Sequence, residues 1–103
     1  MAQPPQLSPE DAKEKILKIL HNDGDIIPTY HYNSDRRNLR NAPMTDVIEV
    51  LENGEIKRIP EWSEDHQNWV CNVEGFDIED EKLIVVTAII EKDWQLKIIT
   101  VKG

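Results

Sequence analysis

With Cys71 as its one cysteine, the chain can close no internal disulfide and build no thiolate metal cluster, which favours a reducing compartment. Cytoplasm is therefore the expected location. No apolar stretch approaches the roughly 18–20 residues that cross a bilayer, and Met1-Ala-Gln-Pro-Pro lacks the basic and apolar regions of a signal peptide, so no membrane contact is expected. Neither a phosphate-cradling glycine loop nor a Ser/Cys–His–Asp motif is present. Positive charge is scarce: 12 Lys and Arg stand against 20 Asp and Glu, for a formal net charge of −8. Binding driven by phosphate contacts needs several Lys or Arg on one surface, which argues against a DNA partner and restricts any RNA contact to a local site.

Of the four arginines, Arg36, Arg37 and Arg40 fall inside five residues, just after His31 in Thr29-Tyr30-His31-Tyr32-Asn33-Ser34-Asp35-Arg36-Arg37-Asn38-Leu39-Arg40-Asn41. Residues 30–41 carry +2, which leaves −10 for everything else. A cationic island on an anionic body points to a specific anion contact rather than a diffuse electrostatic surface.

At 103 residues and 39% apolar, the chain has enough core for one domain and too little for two. Residues 1–7, rich in Pro and Gln, read as a flexible arm, and 8–103 as a single α+β domain. Ser8-Pro9-Glu10-Asp11 supplies an N-cap, a proline at the first helical position and acids at the positive end of the dipole, so a helix is expected over about 9–21. Ala12, Ile16, Ile19 and Leu20 form its apolar face, and Asn22-Asp23-Gly24 offers Gly24 as a left-handed cap. Ile26 to Tyr32 reads as a strand, edge or irregular because of Pro28. A polar helix is expected from Asn33 or Ser34 to about Asn41, stopped by Ala42-Pro43. Thr45 then caps a helix over Asp46 to Asn53 with Val47, Ile48, Val50 and Leu51 inward, ended by Asn53-Gly54. Four stretches rich in β-branched and aromatic residues follow, 55–62, 68–76, 82–91 and 94–102, and imply a four-stranded antiparallel meander. The almost continuously apolar 83–90 run should be its central strand.

Arginine's planar fork matches phosphate and carboxylate bidentately. A short helix would set Arg36, Arg37 and Arg40 near one another. Histidine, with an ordinary pKa near 6.5, suits proton transfer, so His31 beside such a cluster could deprotonate an RNA 2′-hydroxyl or protonate a leaving oxygen while the arginines stabilise phosphoryl charge. The competing reading is that Asp35, Glu49 and other acids pair with these arginines at the surface. Glu61, Glu64, Asp65 and His66 cluster in a turn but show no ligand geometry and read as a solvated loop, so no metal is expected. The run 77–81 lacks the spacing of a calcium loop and reads as a hairpin tip. Trp62, Trp69 and Trp94 could stack bases, although core filling is the simpler use in so small a domain. Cys71, between Val70 and Val73, reads as a buried hydrophobe.

The order Thr29-Tyr30-His31, Arg37 and Arg40, Thr45-Asp46-Val47-Ile48-Glu49-Val50-Leu51-Glu52-Asn53-Gly54-Glu55, then a meander ending Lys97-Ile98-Ile99-Thr100-Val101, resembles a family of small uncharacterised bacterial domains similar to the RelE- and BrnT-type ribonuclease toxins. The resemblance covers about residues 26–102 and leaves the first helix as an extension. It implies a strand, two helices and a four-stranded antiparallel sheet, and an activity on messenger RNA held in check by an antitoxin. By position it implies catalytic roles for His31, Arg37, Arg40 and Lys102, with Arg36 beside Arg37 and Arg40 in binding RNA phosphate. The expectation is thus a metal-independent endoribonuclease without cofactor, with RNA and an antitoxin or other protein as partners. The alternative is a catalytically silent acidic module of the same fold that binds a basic protein.

Overall fold

The computed structural model describes residues 4–28 and 44–102. Ser8 starts the first helix as its sequence context demands: the hydroxyl accepts from the Asp11 amide at 3.1 Å and Pro9 occupies the first turn. Helix α1 spans Pro9–His21, the expected range, and buries Ala12, Ile16 and Ile19. Its end is organised differently from the expected glycine cap. The left-handed residue is Asp23, with φ 63°, and no glycine among the described residues has positive φ. Gly24 is needed for proximity instead: its amide donates to the Ile19 carbonyl at 2.9 Å, and a Cβ there would strike the Ile19 side chain and carbonyl.

Strand β1, Asp25–Pro28, follows at once. The rest of the strand expected to Tyr32, and the polar helix expected to Asn41, lie outside the described residues. Helix α2 spans Met44–Asn53, starts two residues before the expected Asp46, and buries Val47, Val50 and Leu51. Asp46 is also buried, in the first turn, where unpaired helix amides favour a carboxylate. At the other end a Cβ on Gly54 would lie 2.6 Å from the carbonyls of both Val50 and Glu74, so only glycine lets the chain pass between helix and sheet. Lys13 locks this end to α1. Its ammonium donates to the carbonyls of Leu51 (2.7 Å), Glu52 (2.9 Å) and Gly54 (2.8 Å), placing a cation at the negative pole of α2.

Strands β2 (Glu61–Ser63), β3 (Asn68–Phe76), β4 (Lys82–Ile90) and β5 (Gln95–Lys102) form the expected antiparallel succession, but the sheet as a whole is five-stranded and mixed, in the order β1-β5-β4-β3-β2. The expected four-stranded antiparallel sheet is corrected by β1, which runs parallel to β5 from Asp25↔Gln95 to Pro28↔Ile98 and covers what would otherwise be an unpaired edge. The expected strand over 55–62 shrinks to β2 and one bridge, Glu55 with Glu74, joined by two 2.8 Å hydrogen bonds. Lys57, Arg58 and Ile59 are all exposed, so the alternation a half-buried strand requires is missing, and Pro60 has no amide to give a ladder.

β4 is the middle strand. Leu83, Val85 and Ile89 on β4, Cys71 and Val73 on β3, and Leu96, Ile98 and Val101 on β5 meet the apolar faces of α1 and α2 in one core. The 77–81 segment is a hairpin tip: Asp77 Oδ1 accepts from the amides of Glu79 (2.9 Å) and Glu81 (3.0 Å), and Asp80 takes φ 64°. Among the described residues no helix is long and apolar enough to cross a membrane.

Candidate functional site

Alternation along a strand sends successive side chains to opposite faces, so Lys97 and Lys102, five apart on β5, should face opposite ways. They do not. The β4–β5 ladder pairs Val86 with Thr100 and Thr87 with Ile98, which leaves Ile99 as the extra residue of a bulge and reverses the alternation beyond it. Leu96, Ile98 and Val101 therefore all reach the core, while Lys97, Thr100 and Lys102 share the face turned away from the helices. The buried Thr87 hydroxyl stabilises this irregularity by donating to the Lys97 carbonyl at 3.0 Å.

On that face the ladders align side chains in rows. One runs Lys97–Ala88–Val70–Glu61 across four strands, the next Thr100–Val86–Asn72, the next Lys102–Ile84–Glu74. Small Ala88 on the middle strand floors a hollow of about 440 Å³ lined by His66, Asn68, Val70, Ile90, Lys92, Asp93, Lys97 and Ile99. A second hollow of about 300 Å³ continues from Val70 to Asn72, Val86, Thr100 and Lys102, rimmed by Arg58, Ile59 and Glu61. Arg58, Lys92, Lys97 and Lys102 thus surround a half-apolar floor in a protein of net charge −8. Among the described residues none of the four makes an ion pair, whereas Lys15 is held by Glu91 at 3.0 Å and Lys82 by Glu74 at 3.4 Å. Two buried polar atoms on these walls, Asn68 Oδ1 and Thr100 Oγ1, have no hydrogen-bond partner among the described residues. Such an arrangement fits a ligand with an anionic part and a flat or weakly polar part.

Of the residues expected to act, Lys102 lies on this face, at the mouth of the smaller hollow. His31, Arg36, Arg37 and Arg40 lie outside the described residues. Arg58, Lys92, Lys97, Asn68 and Thr100 were not singled out by sequence, and the bulge that brings Lys97 and Lys102 to one face carries no sequence mark. The acidic turn holds Gln67 at φ 55°, with its amide on the Glu64 carbonyl at 2.7 Å, and His66 turns up in the larger hollow. Among the described residues no group of three or more His, Cys, Asp or Glu side chains is placed to hold a metal ion. Cys71 is buried in the core, and burial pushes its thiol up to about 12, far from a nucleophile's range.

The tryptophans divide. Trp94 packs against the core and its indole donates to the Asn22 carbonyl at 2.9 Å. Trp62 and Trp69 lie outside the core cluster, half-buried, as a cross-strand pair with ring centroids 5.3 Å apart at 68°. They stand at the β2 edge of the row that continues through Ile89 to Leu96, so core filling describes Trp94 and not this pair.

Residues 34–102 match the family described as Domain of unknown function (DUF4258), well over half of the chain, and the chain belongs to that family. No curated protein and no solved structure matches it.

Proposed function

We propose that the face of the sheet turned away from α1 and α2 binds single-stranded RNA and that the protein is a toxin-like, metal-independent endoribonuclease of the RelE/BrnT type. In this reading Arg58, Lys92, Lys97 and Lys102 hold backbone phosphates, His31 acts as general base or acid, and Arg37 and Arg40 stabilise phosphoryl charge, with Arg36 and Lys102 assisting. The 2′-oxygen, having lost its proton to the base, forms a bond to the adjacent phosphorus. The bond to the 5′-oxygen breaks, and that oxygen takes a proton, leaving a 2′,3′-cyclic phosphate and a 5′-hydroxyl. The observation that carries the reading is the gathering of Lys97 and Lys102 on one face by the Ile99 bulge, in a protein otherwise strongly acidic. Bulges of this kind frequently re-aim side chains beside active sites.

The test is incubation of the purified protein with mixed RNA in EDTA, beside a His31→Ala, Arg40→Ala double variant. Cleavage by the wild type alone, with cyclic-phosphate ends, is the expected result. Intact RNA in both samples overturns the enzyme reading and favours the second one, a catalytically silent module for a basic protein. That alternative draws on the −10 carried outside residues 30–41 and on the exposed Ile59, Phe76 and Ile78, which are 64%, 58% and 75% accessible.

A further inference from the structure

We propose that Trp62 and Trp69 form a groove for an extended, proline-bearing segment of a partner protein, and that the chain's own residues 4–7 lie across one end of it as a competing strap. The registers Trp62↔Trp69, Trp69↔Ile89 and Ile89↔Leu96 place both indoles on the core-bearing side of the sheet, opposite the Lys97–Ala88–Val70 row. This site is therefore separate from the face assigned to RNA. At the β2 edge of that side the indoles meet residues 4–7, which form neither helix nor strand. Leu7 packs against the core, Gln6 Nε2 donates to the Pro60 carbonyl at 2.8 Å just before β2, and Pro4 lines a hollow of about 480 Å³ together with Trp62, Trp69 and Ile89. A proline beside this indole pair is thus already part of the fold.

Three features of the hollow fit such a segment. The indoles meet edge to face, with centroids 5.3 Å apart at 68°, which leaves ring surface that the pair itself does not use. A pyrrolidine ring is apolar and has no side-chain rotamers to lose, so it covers that surface at little entropic cost. Of the three indole N–H groups, only that of Trp94 donates a hydrogen bond among the described residues; those of Trp62 and Trp69 are unpaired there without being enclosed. An indole N–H that becomes covered needs an acceptor. A polyproline II segment keeps its carbonyls free, and its prolines bring no N–H of their own. Finally, the hollow stands open with Pro4 in place, so residues 4–7 occupy one end and leave room for more chain. Being tethered, they compete at high effective concentration, and a free peptide binds in proportion to the fraction of molecules in which they have let go.

The experiment titrates the ¹⁵N-labelled full chain with the hexapeptide Ala-Gln-Pro-Pro-Gln-Leu, the sequence of residues 2–7, and with a control peptide in which both prolines are alanine. The three indole N–H signals are followed by NMR in the wild type and in a Pro4→Ala, Gln6→Ala double variant, which loosens the strap without altering the groove. Expected are movement of two of the three signals with the proline peptide, none with the control, and binding about tenfold tighter in the double variant. Equal movement with both peptides, or none with either at millimolar concentration, overturns the groove. Equal affinity in the two proteins overturns the strap. Indole signals that move with protein concentration alone, as a dimer forms in sedimentation, assign the pair to a second copy of the chain and overturn the inference. The wild-type titration decides the groove by itself, so the test does not depend on how the double variant folds.

Discussion

Lys97 and Lys102 sit on the same face of β5 although five residues separate them, because the strand absorbs Ile99 as a bulge opposite β4. Deleting Ile99 removes the surplus residue and restores a regular ladder with both lysines still on that face, so the variant should fold and lose at most about 2 kcal/mol, from a lost aliphatic side chain and a disturbed Thr87 bond. Inserting one alanine between Thr100 and Val101 does the reverse. It turns Val101 out of the core and Lys102 into it, and should cost about 3 kcal/mol or more. Urea denaturation of the two variants reads the difference; equal stabilities would contradict the role given to the bulge.

If that face tracks an RNA backbone, its lysines contribute counterion release and not sequence preference. Lys97→Gln and Lys102→Gln should each weaken binding of unrelated single strands to a similar degree and reduce the slope of log affinity against log salt by about 1. Both lysines are exposed and unpaired among the described residues, so the melting temperature should not move. A slope unchanged in both variants, measured over a salt series, would remove them from the interface.

Much of this architecture was legible in the residues. The Ser8-Pro9 start, the apolar stripe through Ala12, Ile16 and Ile19, the Asp77 turn and the central place of 83–90 rest on local chemistry or alternation, and each appears as read. What escaped depends on partners distant in sequence. Parallel pairing of β1 with β5 is a contact across some seventy residues that no local pattern announces. The stretch after Gly54 has the apolar content of a strand in Ile56, Ile59 and Trp62, but Pro60 has no amide to give a ladder and 57–59 lack alternation. The bulge is a mismatch of one residue between two strands, visible only once both are in register. Lys102 was singled out through resemblance; its neighbour Lys97 needed the fold.

Lys13 reaches from α1 to three carbonyls at the end of α2, at 2.7–2.9 Å, and Lys13→Met should cost about 2 kcal/mol by leaving them without a cationic donor. Burial holds the ammonium below the ordinary lysine value of 10.5, against a smaller upward pull from Glu52. Between that lowered value and 10.5 the unfolded chain keeps a proton that the folded one releases, so this group makes stability rise with pH across the window. Denaturation curves of wild type and Lys13→Met at several alkaline pH values should diverge across that window, because the rise belongs to the wild type; its presence in the variant would assign it elsewhere.

Gly54 separates α2 from β3, and Gly54→Ala sets a methyl 2.6 Å from two backbone carbonyls that cannot rotate away. A loss of about 2–3 kcal/mol is expected, despite alanine's lower unfolded-state entropy. Gly75→Ala is the internal comparison. Its Cβ would meet the Gly54 Cα at 3.2 Å and the Val50 Cγ1 at 3.4 Å, a tighter-than-usual but yielding contact, so it should cost clearly less. Thermal melts that rank Gly75→Ala as the more damaging would show that the crossing of helix end and strand is not the constraint.

Cys71 carries the last prediction, because its chemistry separates folded from unfolded chain. With the thiol raised from 9.0 to about 12 by burial, native protein at mildly alkaline pH should react with iodoacetamide only at the rate of opening, while urea-unfolded protein reacts at once. The same shift has a thermodynamic sign. Below 9.0 the thiol is protonated in both states and contributes nothing; above it the unfolded chain ionises while the folded one does not, so stability falls as pH climbs from 9.0 toward about 12. Cys71→Ala should lose some stability at neutral pH from the smaller side chain, and should lack that alkaline decline. An alkaline decline of equal size in both proteins would mean that another group titrates there, and rapid alkylation of the native state would mean that the core around β3 opens far more readily than its packing implies.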